Sequence, residues 1–155
     1  MDGAMGGHDD LFHQAHSGTG PSPIQRGKMK KVPFWMTFSL KVISLATFFS
    51  GLVQMAFPGF VLGMVGGTAN PPSLHFFRIV GMFMLLFGGL FFQAMHAPTP
   101  TPITAFWCGW QKLGAATMIS IGIFQNLFSP IALGVAGFDF ISALLIAFYW
   151  NKIRA

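Results

Sequence analysis

Four apolar runs, at residues 34–57, 73–95, 103–128 and 131–150, decide what this chain can fold into. Each meets the ~20 residues that a helix needs to cross a hydrocarbon core of about 30 Å. Their only Lys, Arg or Asp residues are Lys41, Arg78, Lys112 and Asp139. A soluble domain gives roughly 25% of its residues to charge. Here charged residues are 8% of the chain and hydrophobic ones 53%, too little charge to cover a water-facing surface. A membrane β-barrel is excluded because its alternating strands of ~10 residues are missing. The expectation is an all-α integral membrane protein, a four-helix bundle. Its short links favour up-down-up-down order.

The chain divides at its first long run. Residues 1–33 are rich in Gly, His, Ser and Pro and hold no sustained apolar period, so a disordered, mobile cytoplasmic tail is expected. It does not read as a secretory signal, because its polar lead is long and the run behind it is of membrane length. Residues 34–155 form the membrane domain. The link at 58–72 is Gly- and Pro-rich yet still apolar, which suits the interface.

Charge placement sets the orientation. Arg26, Lys28, Lys30 and Lys31 flank the first run, and Lys152 and Arg154 follow the last. An even number of spans puts these groups on one side, while the links at 58–72 and 129–130 carry no Lys or Arg. Basic residues gather on the cytoplasmic side, so both termini are expected there. Trp35, Trp107, Trp110, Tyr149 and Trp150 fall at the same ends and read as an aromatic belt. The net charge of +5 thus points to a membrane surface and away from nucleic acid. The expected partners are the lipid bilayer and other membrane subunits or a second copy of the chain.

Ionisable groups inside spans are costly and need a partner or a function. Lys41 lies near an inner end, and its long stem can carry the ammonium to the headgroups. By helical rise, Arg78 lies about 8 Å and Asp139 about 12 Å below the outer ends of their helices. Both share faces with small residues, Gly81 and Gly88 for Arg78, Ala136 and Ala143 for Asp139. A buried Arg78–Asp139 pair is the first expectation. Lys112, near mid-membrane, is the rival partner, with a similar depth gap to Asp139. One acid cannot neutralise two cations, so the three also form a candidate site for an anionic or carbonyl-bearing ligand, a lipid headgroup or a quinone. Gln54, Gln93, Gln111, Gln125 and Asn126 could complete it or bridge helices.

The histidines offer less. His75 and His96 lie at opposite ends of one run and cannot share a haem iron. In the tail, His8, His13 and His16, with Asp9, have helical spacing for a weakly held metal ion. No nucleophile–base pair, phosphate loop or CxxC motif is present, and with no Glu, acid–base chemistry has little to work with.

The second run, in NPPSLHFFRIVGMFMLLFGGL, follows a loop holding PG and GG and carries Arg78 followed by Gly81. With Lys112 in the third run and Asp139 early in the fourth, the segment 34–152 resembles the DoxX-like small four-helix membrane proteins. That resemblance implies four membrane helices and, for some members, a role as subunits of oxidoreductases in membrane quinone chemistry.

Two functions follow as expectations. One is a non-catalytic accessory or scaffold subunit of a larger membrane complex. The other is a small redox or transport component with a quinone- or anion-binding site at Arg78, Lys112 and Asp139. The expected topology has a direct test in a Cys108→Ala background. An impermeant thiol reagent applied to intact cells should label Thr68→Cys and spare Ser22→Cys. The reverse pattern would overturn the orientation.

Overall fold

The computed structural model describes residues 32–154, most of them in helices joined by short links. The helices are α1 (Phe34–Ala56), α2 (Pro58–Met64), α3 (Pro71–Ala94), α4 (Pro102–Phe124) and α5 (Leu133–Ile153), with a short 3-10 turn at Pro130–Ala132. The tail reading for 1–33 falls almost wholly outside the described residues, and so do His8, His13 and His16.

Three helical segments are long and apolar enough to cross a membrane: α1, α3 and Pro130–Ile153. The chain therefore carries the spans of a multi-pass membrane protein. α4 matches α1 in length, at 23 residues. It is not among the three, since Trp110, Gln111 and Lys112 stand together in it and lower its mean hydropathy.

Local chemistry sets the ends. α3 begins at Pro71 rather than at 73 because Asn70 closes a capping box, its side chain accepting from the Ser73 amide while its own amide donates to the Ser73 hydroxyl. α4 stops at Phe124 rather than at 128. There Asn126 turns left-handed (φ 57°), the Leu127 amide donates to the Gly122 carbonyl at 2.8 Å, and the Asn126 amide donates to that of Ile123. The same motif ends α2, with Gly66 at φ 74°. α2 itself is a helix within the segment expected to be a link. Its seven residues make about two turns, with Pro58 and Leu62 buried.

α1 and α3 run antiparallel with their backbones nearly touching. A Cβ added to Gly51 would stand 2.6 Å from the Gly81 carbonyl oxygen, and one on Gly88 would stand 2.6 Å from the Phe48 amide nitrogen. Small residues allow such approach, and in lipid the gain comes from packing rather than from hydrophobic exclusion. α4 and α5 form a second antiparallel pair, Gly109 facing Ile146. The pairs meet at one end, where Leu40, Phe91, Cys108, Ile146 and Tyr149 build the tightest packing. At the other end the loops are stitched together, the Ser129 amide donating to the Val65 carbonyl at 2.8 Å. Between these two ends, α1 and α5 stand apart.

Outward faces are apolar. Phe38, Phe76, Phe83, Met118, Ile141 and Phe148 are all exposed, as lipid contact requires. Trp35, Trp107 and Trp110 are exposed too. Tyr149 departs from the expected belt: it turns inward and meets Phe91 edge-on. A tyrosine one turn before a helix end can follow the buried stripe of Ser142 and Ile146, and this one does.

The glycine contacts yield a paired prediction. Gly88→Leu should destabilise the fold by about 1–3 kcal/mol or more, since backbone cannot yield to a new side chain. Gly137→Ala, where nothing lies within 4 Å, should be neutral or stabilise by up to about 1 kcal/mol through helix propensity. Unfolding in mixed detergent micelles would measure both. Equal effects would refute the close α1–α3 contact.

Candidate functional site

Lys112 reaches from α4 to Asp139 on α5, its ammonium donating to Oδ1 at 2.5 Å. Each residue is 4% exposed. The antiparallel pairing of α4 with α5 brings them together. Lys112 shares its buried stripe with Ala105, Cys108 and Ala116, and Asp139 shares its own with Ala136, Ala143 and Ile146. These small side chains let the helices close around the pair. The Phe138 ring adds a cation–π contact, its centroid 5.3 Å from Nζ.

The expected Arg78–Asp139 pair is therefore corrected. Arg78 is exposed. Depth allowed either cation, but helix faces decided. The Gly81–Gly88 stripe of α3 is consumed by α1, so α3 does not turn its N-terminal half toward α5. Arg78 sits at the edge of that stripe, about 60° round the helix from Gly81. It does not join Lys112 and Asp139 in one site.

The pair forms the floor of a cavity of about 530 Å³. Its walls are Thr47, Phe49, Ser50, Val53 and Gln54 of α1, Phe60, Val61 and Met64 of α2, and Gly134, Val135 and Phe138 of α5, with Met84 from α3. α2 is thus the roof over the gap between α1 and α5. The rim residues Phe49, Val53, Phe60, Val135 and Phe138 are exposed and apolar, so the cleft opens sideways, toward lipid acyl chains. Its size falls within the roughly 300–1,000 Å³ of ordinary ligand sites.

Three polar residues of α1 line the cavity, and of these Ser50 is exposed while Thr47 and Gln54 are buried. Gln54 is spoken for, its Nε2 donating to the Phe77 carbonyl at 3.0 Å. Thr47 is not: it is 3% exposed, and its hydroxyl has no hydrogen-bond partner. Thr47 also lines a small gap of about 10 Å³ shared with Lys112, Cys108 and Ile146, which fixes it beside the pair. An unpaired buried hydroxyl costs about 1–3 kcal/mol, so this one marks where a bound group would be satisfied.

Other candidates disperse. Lys41 is half-buried, Gln111 half-buried, and Gln93, Gln125 and Asn126 are exposed. His75 is exposed on α3 and His96 is exposed just past its end, where His96 Nδ1 lies 2.9 Å from the Phe92 carbonyl. Among the described residues, no three His, Cys, Asp or Glu side chains gather for a metal. A smaller groove of about 270 Å³ runs between α4 and α5, lined by Ala105, Gly109, Ala143 and Ala147 with Phe106, Trp110 and Trp150.

Sequence reasoning missed Thr47 and the roof. Thr47 had a readable signal, since Leu40, Ile43, Ser44, Thr47, Gly51 and Gln54 follow helical spacing and all are buried. No family model matches this chain, and no curated protein or solved structure matches it.

A double-mutant cycle tests the pair. Asp139→Asn or Lys112→Met alone should cost about 3–5 kcal/mol, because the partner is left charged and buried. Combining them should recover much of that loss. Arg78→Gln should change stability by no more than about 0.5 kcal/mol. Coupling of Asp139 to Arg78 instead of Lys112 would refute the geometry.

Proposed function

We propose that this chain is a non-catalytic four-helix integral membrane protein, with α4 as its fourth span and both termini cytoplasmic, that binds a membrane-soluble molecule in the cleft between α1 and α5. The observation that carries the reading is the lateral cavity floored by Lys112 and Asp139, with the unpartnered Thr47 hydroxyl beside them. Pairing supports α4 as a span. Lys112, with Trp110 and Gln111, depresses its hydropathy, and Asp139 at 2.5 Å answers the charge that would otherwise stand alone inside. Arg154, stacked over Trp150 at 3.9 Å, and Lys152 suit the cytoplasmic interface.

The DoxX-like resemblance is kept as part of this proposal: Lys112 and Asp139, two of its residues, are the pair on the cleft floor. An accessory role in a larger complex is the second reading. It is favoured by the groove of Ala105, Gly109, Ala143 and Ala147, which fits a helix of another subunit.

Purification in mild detergent followed by native mass spectrometry separates the two. A retained small-molecule adduct that Gly134→Trp removes supports the cleft, because Gly134 lines the cavity and has open space beyond its Cα. A stoichiometric protein partner lost on Ala147→Leu, at an exposed position of that groove, with no such adduct, supports the accessory reading and overturns the first.

A further inference from the structure

Resting on the cleft reading, we infer that the site selects an uncharged lipid amphiphile bearing a hydroxyl group, of the monoacylglycerol kind, over an anionic or purely carbonyl-bearing one. The floor is already neutral. Lys112 and Asp139 cancel at 2.5 Å, and Arg78, whose charge would call for an anion, lies exposed away from the cleft. An anionic head would bring an unbalanced charge into a cleft with apolar walls, where charge is costly.

Depth argues the same way. Asp139 lies about 9 Å along α5 from its first residue, Leu133, inside the hydrocarbon layer on this reading. A phosphate-bearing headgroup cannot follow a lipid tail to that level without losing its hydration. A neutral head can, provided its polar atoms find partners.

Those partners are specific. Lys112 uses one N–H on Oδ1 of Asp139, leaving two donors. Asp139 Oδ2 has no donor among the described residues and can only accept. Thr47 Oγ1 is unpaired and can do either. A hydroxyl donates to the carboxylate and accepts from the lysine or the threonine at once. A bare carbonyl or ester only accepts and leaves Oδ2 unmet. Above the floor, Phe49, Val53, Phe60, Met64 and Val135 offer an apolar wall for a chain entering from the side.

The test uses the full chain in nanodiscs and three radiolabelled probes of one chain length: 1-monooleoylglycerol, methyl oleate and oleic acid at pH 8. Expected is saturable binding of the monoglyceride near one per protein, with each of the other two weaker by roughly tenfold. Gly134→Trp should abolish it. Thr47→Val, which removes the hydroxyl at nearly constant volume, should weaken it roughly three- to tenfold while leaving thermal stability unchanged or raised. If oleate or methyl oleate binds as tightly and Gly134→Trp removes it, the hydroxyl assignment is overturned and the cleft reading stands. If no probe is sensitive to Gly134→Trp, or none binds saturably, the cleft reading falls with it.

Discussion

The Lys112–Asp139 ion pair is the interaction on which this structure turns. A lysine buried between apolar helices is tolerated only if its charge is answered, and this chain places a single acid within its apolar runs. Meeting that demand obliges α4 to lie against α5, in one register, with small side chains closing over the contact. It also consumes the acid, so no other cation can depend on it. A buried pair of this kind adds little net stability over a well-packed apolar replacement. What it supplies is a fixed alignment of two helices and a polar floor in a place that would otherwise be hydrocarbon.

The packing is uneven along the helices as a result. At one end, Leu40, Phe91, Cys108, Ile146 and Tyr149 interlock and leave no room. Toward the other, the α1–α3 and α4–α5 pairs diverge, and α2 spans the gap as a roof. Its placement follows from two left-handed turns, at Gly66 and Asn126, that bring the preceding and following loops into one hydrogen bond between Ser129 and Val65. The cleft is thus a product of loop geometry as much as of helix packing.

Helix identity was readable from the apolar runs because length and hydropathy are properties of a segment taken alone. Ends were less so. The stop at Phe124 depends on Asn126 adopting a positive φ, and apolar Leu127 and Phe128 conceal it from a hydropathy reading. α2 was hidden within a Gly- and Pro-rich stretch, where Pro58 in fact starts a helix. The charged residues were all visible, yet depth alone could not choose between Arg78 and Lys112. That choice rests on which face of α3 the glycines give to α1, a relation between segments that no single segment encodes. Thr47 was overlooked because a lone threonine in an apolar run looks like packing until the space beside it is seen.

The glycines at the α1–α3 contact carry a genetic consequence. Any single-base change in a glycine codon that yields another amino acid adds at least a Cβ atom, and at Gly51, Gly81 and Gly88 that atom meets backbone below 3 Å. These positions have no conservative substitute. Elsewhere along the same helices, exposed Phe, Leu and Met face a fluid medium that accepts almost any apolar shape. The chain's tolerance to mutation should therefore be sharply divided, with a few invariant glycines set among freely drifting hydrophobic neighbours.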